Sequence, residues 1–166
     1  QKSVTAKISY VKCKKIENYG IVRRIVSFYM SEVSVIIAFY NSEQTLAMSV
    51  DSLLRQSLRG IEIILVNDGS ADTSLEIAES YLEFNSVRVY TIEHQGQAAA
   101  FNFALTKIET PYFTFLDADD IFLPWACASL LDVAARYNAD IVYGNHGFFN
   151  GLKHIEPVTY LSWPLH

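Results

Sequence analysis

The sequence predicts an α/β protein in which helices pack around a mainly parallel central sheet. Two observations lead to this prediction. From residue 33 onward, short runs rich in β-branched and other apolar residues alternate with segments of helical periodicity, which is typical of βαβ units. The 166-residue chain is also 51% hydrophobic and 19% charged, so it can bury the core of one globular domain.

The predicted elements follow one another in a regular order. Ser42 is expected to cap the first helix, and Asp72 or Thr73 the second, because short oxygen-bearing side chains accept hydrogen bonds from the free N–H groups of a helix start. Pro124 fits the first turn of the last helix, where its missing N–H costs nothing. Strands are predicted at 33–39, 61–66, 87–92, 112–116 and 140–143, with a helix from the Ser42 cap to Leu54 and further helices over 72–82, 97–108 and 124–137 between them.

The two ends of the chain fall outside this alternation. Residues 1–32 are interpreted as a basic N-terminal extension, since they hold seven Lys or Arg against two Asp or Glu. The extension could be a small appended element or partly ordered arm, including a strand over 4–11, or a surface that attracts anionic lipid or a partner. Near the other end, Asn150-Gly151 between apolar residues predicts a hairpin with a type I′ turn.

Composition also restricts which cellular compartment and which partners are expected. Residues 33–166 hold six Lys or Arg against sixteen Asp or Glu, which argues against electrostatic binding of nucleic acid. Cys13 and Cys127 form no CxxC pair, so free thiols are expected rather than a disulfide framework or a zinc site. The sequence has no apolar run of the ~20 residues that a spanning helix needs and no signal-peptide core. We therefore expect a cytoplasmic protein, with peripheral association at the inner face of the membrane as a role for the extension.

Three predicted strands end in polar residues that are candidates for a ligand site. Tyr40 and Asn41 follow the first strand, residues 67–70 follow the second, and the acidic run 117–120 follows the fourth. In an open parallel sheet, ligands bind outside the carboxyl ends of the strands, where the loops converge and helix N-termini point their N–H groups at the ligand. These three loops are therefore expected to form one site.

The run Asp117-Ala118-Asp119-Asp120 predicts a site for a divalent cation. In extended backbone, the carboxylates of Asp117 and Asp119 would face one side of the chain and Asp120 the other. Adjacent carboxylates repel one another unless a cation neutralises them, and Mg²⁺ or Mn²⁺ commonly takes one or two carboxylates together with substrate phosphates and water. The alternative is a solvated turn in which one Asp caps the next helix.

The segment Asn67-Asp68-Gly69-Ser70 also has two interpretations. It could be an ordinary polar turn, with Gly69 supplying a positive φ. In the functional interpretation, Asp68 accepts a hydrogen bond from a nucleobase. Because an ionised carboxylate accepts but cannot donate, it would favour a base edge with a donor, such as uracil N3–H.

Four motifs follow one another along the chain: Val33-Ser-Val-Ile-Ile-Ala-Phe-Tyr-Asn41, Ser52-Leu-Leu-Arg-Gln-Ser57, Glu62-Ile-Ile-Leu-Val-Asn-Asp-Gly-Ser70 and Phe115-Leu-Asp-Ala-Asp-Asp120. In order and spacing they resemble the front half of inverting glycosyltransferase family 2 enzymes. The resemblance covers residues 33–145 and implies a GT-A (Rossmann-like) three-layer fold, truncated in its C-terminal part, with residues 33–166 as an incomplete nucleotide-sugar-binding domain. It further implies a nucleoside-diphosphate-sugar donor and Mg²⁺ or Mn²⁺, with Asp68 at the base, Asp117 at the ribose or sugar, and Asp119 at the metal.

Departures from the family pattern affect the expected site. Ala38 stands where the family usually has Pro, although its backbone can still meet the nucleotide. Phe101 stands where Arg is common, and Phe cannot hold a phosphate as a cation would. We interpret Phe101 as a core residue that leaves Asn102 and the helix N-terminus to contact the donor. The predicted substrate-binding residues are Ala38, Tyr40, Asn41, Asp68, Asn102, Asp117 and Ala118, with Asp119 at the metal.

No catalytic base is assigned from the sequence. The family places its catalytic Asp or Glu well beyond the segment that corresponds to Tyr143, and neither Glu156 nor His146 falls in that motif. The four histidines, including His94, are expected at the surface or in local hydrogen bonds, because their spacing suggests neither metal ligation nor a nucleophile pair.

Two functional hypotheses follow. In the first, the chain is the N-terminal part of a glycosyltransferase that transfers a sugar, with inversion and metal assistance, from a UDP-sugar to a glycan or lipid-linked acceptor. In the second, it is a non-catalytic nucleotide-binding or interaction module, or a truncated inactive enzyme, as Phe101 and the unassigned base suggest. A different α/β nucleotide-binding protein lacks support, because the sequence has neither a GxGxxG after the first strand nor a GxxxxGK[ST] loop.

Overall fold

The computed structural model describes residues 4–6, 11–13, 31–144, 147–149 and 155–157, with side chains over 31–144. Its strands are β1 (Val4–Ala6), β2 (Val11–Cys13), β3 (Val33–Phe39), β4 (Ile61–Asp68), β5 (Val87–Ile92), β6 (Tyr112–Phe115), β7 (Ile141–Val142), β8 (Gly147–Phe149) and β9 (Ile155–Pro157). Its helices are α1 (Leu46–Leu54), α2 (Ser74–Ser80), α3 (Gln97–Leu105) and α4 (Ala126–Tyr137), with a 3₁₀ turn at Tyr81–Glu83.

The main sheet has the strand order β5-β4-β3-β6-β2-β7. Strands β5, β4, β3 and β6 are parallel, whereas β2 runs antiparallel to both β6 and β7. A second, antiparallel sheet has the order β1-β8-β9. The mainly parallel sheet predicted from the sequence is thus confirmed, and the carboxyl ends of four neighbouring strands meet at one edge.

The core lies on both faces of this sheet. All residues of β3 and β4 are buried, which explains why these strands are continuous apolar runs rather than alternating ones. On one face, the β3 side chains of Val33, Val35 and Ile37 pack with α1, α2 and the start of α4. On the other face, Ile36 and Ile64 pack with the alanines of α3. Helices therefore cover both faces, as the three-layer prediction required.

Several element boundaries differ from the predictions, and each difference has a local cause. Strand β4 continues to Asp68 because its pairing with β5 extends that far. Helix α3 ends at Leu105, where backbone N–H groups turn back to carbonyls three residues earlier. Helix α4 begins at Ala126, and Pro124 lies in the turn before it. Ser42 does not cap α1 with its side chain: its hydroxyl donates to the carbonyl of Tyr40, and its own carbonyl accepts the first N–H groups.

Both ends of the chain contribute strands. Residues 11–13, inside the range interpreted as an extension, form β2 between β6 and β7. Strands β8 and β9 pair as a hairpin, with Phe149 opposite Ile155. The type I′ turn predicted at Asn150-Gly151 falls on the residues that connect these two strands. The connecting residues themselves lie outside the described part of the chain.

Two findings bear on the expectations drawn from composition. Cys127 is a free, buried thiol, and burial raises its pKa to about 12, so it stays protonated near neutral pH. Within the described ranges, none of the helices has the length and apolar character required to span a bilayer.

A buried polar network lies under the amino ends of the strands. The Ser34 hydroxyl donates to the Glu62 carboxylate and lies 2.7 Å from the Thr110 hydroxyl. Arg88 forms an ion pair with Glu62 at 2.8 Å, and the two side chains are 43% and 6% exposed. This charge-assisted pair neutralises a carboxylate that water hardly reaches.

We expect Arg88→Met to lower the free energy of unfolding by about 1–3 kcal/mol. The substitution keeps an apolar stem but leaves Glu62 buried without its cation, and the partial exposure of Arg88 holds the loss below that of a fully buried pair. Urea unfolding measures this loss in the free energy of unfolding. The control is Arg55→Met, which removes an exposed pair with Asp51 and should cost less than about 0.5 kcal/mol. Equal losses in the two variants would show that Arg88 contributes nothing beyond a surface pair.

Candidate functional site

The loop after β3 and the loop after β4 are joined by hydrogen bonds. Asn41 has a φ of 48°, a left-handed conformation that Asn tolerates better than most residues. In this conformation its backbone N–H donates to the Ser70 hydroxyl at 3.1 Å, and its side-chain oxygen accepts the Ala71 N–H at 2.8 Å. Tyr40 and Asn41 are thus held beside residues 68–71, as the sequence predicted.

Each of these loops also supplies a carboxylate to the other. Glu43 accepts the Thr73 N–H and hydroxyl at 3.3 and 2.8 Å, and Asp72 accepts the Glu43 N–H at 3.2 Å and the Ser74 N–H at 3.0 Å. Desolvation raises the pKa of Asp72, but hydrogen bonds from Ser74 and Glu43 outweigh it and lower that pKa below its usual value. Because the folded pKa is depressed, this stabilisation is present at neutral pH and is lost as the pH falls through the folded value.

Asp68 connects β4 to the start of α3. Its carboxylate is buried, and its two oxygens accept the backbone N–H groups of Gln95 at 2.8 Å and Gly96 at 2.9 Å. Gly96 is the residue that precedes α3, and its φ of 90° is open to glycine but not to most residues. A carboxylate at this position also suits the positive end of the helix dipole. Asp68 therefore fixes where α3 begins, in addition to any contact with a ligand.

His94 is part of the site, although the sequence gave no reason to select it. Its Nδ1 lies 2.9 Å from both the carboxylate and the carbonyl oxygen of Asp68. Its ring stacks on Tyr40 with 4.1 Å between centroids and 23° between planes. Tyr40 is 45% exposed and the His94 side chain 55% exposed, so both rings can meet a ligand. The signal that could have identified His94 is its place between a strand end and the glycine that opens a helix.

The acidic run forms a turn rather than extended backbone. The Asp120 N–H donates to the Asp117 carbonyl at 3.0 Å, which closes a β-turn, so the expected alternation of side chains is wrong. Asp117 is half-buried and accepts a hydrogen bond from the Gln97 amide at 3.0 Å. Ala118 and Asp120 are buried, and Asp119 is exposed. The turn therefore presents Asp119 to solvent and ties Asp117 to the first residue of α3.

The donor set of this turn fits a metal ion that a ligand helps to hold. Among the residues that the structure describes, no three His, Cys, Asp or Glu side chains gather into a cluster able to hold a metal alone. Mg²⁺ and Mn²⁺ do not require such a cluster, because one or two carboxylates, substrate phosphates and water can complete their coordination. An exposed Asp119 with the half-buried Asp117 nearby in the same turn supplies the carboxylates of a site of that kind.

The remaining predicted residues lie around α3. Phe101 is partly buried and packs on Phe115 with 4.4 Å between ring centroids, so its interpretation as a core residue is confirmed. Ala38 is buried under the same helix, which leaves only its backbone for a ligand. Asn102 is exposed further along α3 and shares no hydrogen bond with the other site residues in the described part of the chain. His146 and the side chain of Glu156 lie outside the described residues.

The chain is similar to proteins of a known family. The family model described as Glycosyl transferase family 2 matches residues 34–162. The chain belongs to glycosyltransferase family 2. The glycosyltransferase GlyA of Streptococcus pneumoniae is 37% identical over 121 residues, which are 72% of this chain and 17% of GlyA. The minor teichoic acid biosynthesis protein GgaA of Bacillus subtilis is 40% identical over 106 residues, which are 60% of this chain and 24% of GgaA.

Solved structures of S. aureus TarS extend the comparison. TarS residues 1–349 in complex with UDP superpose with a TM-score of 0.61 and 27% identity, covering 64% of this chain and 33% of that TarS chain. Its complex with UDP-GlcNAc gives 0.57 and 31%, over 64% and 31% of the two chains. The GT-A fold expected from the family motifs is thus confirmed. The chain spans less than half the length of each of these proteins.

Proposed function

We propose that this chain holds the nucleotide-sugar donor of a family 2 glycosyltransferase at the carboxyl edge of β3, β4 and β6. One observation carries the proposal: the start of α3 is hydrogen-bonded to Asp68 through Gln95 and Gly96, and to Asp117 through Gln97. The residue expected at the base and the residue expected at the ribose are therefore parts of one site.

We assign residues to the parts of the donor in order, from the base to the sugar. The base stacks on the exposed ring of Tyr40 and donates to Asp68, whose oxygens retain lone pairs beyond those used by the backbone. The backbone at Ala38 and Asn41 lines the nucleoside. Asp117 and the backbone of Ala118 contact the ribose or sugar, and Asn102 with the N-terminus of α3 contacts the rest of the donor.

Charge supports a divalent cation in this site. The loops that follow β3, β4, β5 and β6, together with Asp68, carry seven carboxylates and no Lys or Arg. A diphosphate brought among these charges would be repelled unless a cation stood between them. We place Mg²⁺ or Mn²⁺ at Asp119, where it would neutralise the leaving diphosphate.

The relatives support the choice of donor and acceptor. TarS binds UDP and UDP-GlcNAc, which favours a UDP-linked sugar in this chain as well. GgaA acts in teichoic acid biosynthesis, which favours a glycan or lipid-linked acceptor. We propose that the complete protein performs the transfer with inversion in the cytoplasm, at or near the inner face of the membrane.

Calorimetry with the purified chain tests the donor site. We expect saturable binding of UDP in the presence of Mn²⁺, competition by UDP-GlcNAc, and weaker binding of ADP, whose base offers no N–H donor at the position of uracil N3. Equal affinity for ADP and UDP would contradict a base contact at Asp68. Absence of binding for every nucleotide would contradict the proposed function itself.

Phe101 favours a second candidate function, a module that binds nucleotide without turnover. Its ring packs on Phe115, so this position cannot supply the cation that the family commonly places there. Slow donor hydrolysis or sugar transfer by the chain would support an enzyme, whereas UDP binding without turnover would support the module.

Gly69→Ala is expected to weaken UDP binding by disturbing the hydrogen bonds that join Asp68 to Gln95 and Gly96 at the start of α3. The φ of Gly69 is 70°, where Ala costs about 1–2 kcal/mol. An added Cβ would also lie 3.0 Å from the His94 backbone nitrogen and 3.1 Å from its Cβ, pushing residues 93–96 away from Asp68. Calorimetry and thermal unfolding measure both effects. Gly60→Ala is the control. Gly60 also has a positive φ, of 85°, but it lies at the opposite edge of the sheet, so the substitution should lower stability without changing UDP affinity.

A further inference from the structure

We infer that, when no donor is bound, the imidazole of His94 occupies the nucleobase position, so that UDP must displace it in order to bind. The inference rests on the proposed function, since it takes Tyr40 and Asp68 as the residues that contact the base. It makes His94 a residue that sets donor affinity by competing with the donor. The competing group belongs to the chain itself.

The contacts of His94 reproduce those proposed for the base. Its ring is planar, stacks on Tyr40 with 4.1 Å between centroids, and places Nδ1 2.9 Å from the Asp68 carboxylate. The same nitrogen lies 2.9 Å from the Asp68 carbonyl oxygen. Both neighbours are acceptors, so Nδ1 carries the proton and acts as a donor, as N3–H of uracil would.

A base cannot make these two contacts while His94 keeps them. At 4.1 Å the two rings are in direct contact, and no third ring fits between them. A ring that touches both Tyr40 and Asp68 lies on the side of Tyr40 where His94 now lies. The Asp68 carboxylate also has little capacity left, because it already accepts the N–H groups of Gln95 and Gly96 as well as His94.

The exchange requires rotation of one side chain rather than movement of the loop. The backbone of residues 95 and 96 is fixed by Asp68, and Gly69 packs closely against the backbone of His94. The His94 side chain is 55% exposed, so it can turn into solvent without opening the core. In the exchange the Asp68 carboxylate keeps both backbone hydrogen bonds and replaces the imidazole donor with the base.

With competition of this kind, the observed affinity equals the intrinsic affinity multiplied by the fraction of molecules in which His94 has turned away. Removing the ring should therefore tighten binding. For the loss of one hydrogen bond and one ring stack, we expect UDP to bind roughly 3- to 30-fold more tightly to His94→Ala. The gain should be the same for uridine, which has the base but no phosphate, and absent for inorganic diphosphate with Mn²⁺.

Calorimetry on His94→Ala and His94→Ser tests the inference, with Asp132→Ala on α4 as the control away from the strand-end loops. Tighter binding of UDP and uridine in both His94 variants, with unchanged affinity in Asp132→Ala, supports displacement. UDP affinity that is equal to or weaker than that of the parent chain in both folded variants overturns it, since His94 would then assist binding or play no part.

The failure of the proposed function gives a different result from failure of this inference. If neither the parent chain nor either His94 variant binds UDP or uridine while thermal unfolding shows them folded, the donor site itself is contradicted. If the parent chain binds UDP but the His94 variants show no gain, only the displacement by UDP is contradicted.

Discussion

Replacing Asp68 with Ala is expected to abolish UDP binding and to lower the free energy of unfolding by about 2–4 kcal/mol. The substitution removes the proposed acceptor for the base and leaves the N–H groups of Gln95 and Gly96 without their acceptor at the start of α3. Because Gln97 joins the same helix start to Asp117, the disturbance should reach the acidic turn. Urea unfolding and calorimetry measure the two effects on the same preparation.

Two further variants separate the roles of Asp68. Asp68→Asn keeps the size of the side chain and one acceptor oxygen, so it should lose less stability than Asp68→Ala and still bind UDP poorly. Asp132→Ala removes an exposed carboxylate paired with Arg136 on α4 and should change neither quantity appreciably. Undiminished UDP affinity in Asp68→Ala would exclude the carboxylate from the donor site.

Replacing Asp119 with Ala is expected to remove the dependence of UDP binding on Mn²⁺ and to weaken binding in its presence at least about tenfold. The fold should be unaffected, because Asp119 is exposed on its turn. Removal of this carboxylate leaves the diphosphate to face the remaining acidic residues without a well-held cation. Titration of UDP with Mn²⁺ and with EDTA measures the effect.

The matched control for Asp119→Ala is again Asp132→Ala, which removes one negative charge at a distance from the strand ends. It should retain the difference between Mn²⁺ and EDTA. If Asp119→Ala keeps that difference in full, the metal is held elsewhere or the site does not use one.

The central sheet could be predicted from the sequence because its signal is local. In β3 and β4 every residue is buried, so the apolar run itself marks the strand. The carboxyl-edge rule then brought Tyr40, Asn41 and Asp68 together correctly, since it depends on strand direction rather than on side-chain contacts. The N-terminal extension was harder to predict, because its strand β2 pairs with β6 and β7, which lie a hundred residues or more further along the chain.

The details of the site could not be predicted for the same reason. His94 gains its contacts from Asp68 and Tyr40, which are distant in sequence, and its position just before Gly96 does not by itself show that these residues meet. The acidic run was expected to be extended, but a single hydrogen bond between Asp120 and Asp117 folds it into a turn. Sequence spacing selected residues that the structure brings to one edge of the sheet, but it failed on which way the acidic side chains face.

A crystal structure of the chain with UDP and Mn²⁺ tests the central claim most directly. The account predicts that uracil stacks on Tyr40 within hydrogen-bonding distance of the Asp68 carboxylate, and that Mn²⁺ contacts Asp119 and the diphosphate. Nucleotide bound elsewhere, for example in the apolar hollow of about 140 Å³ beside Trp125 and Leu130, would contradict it.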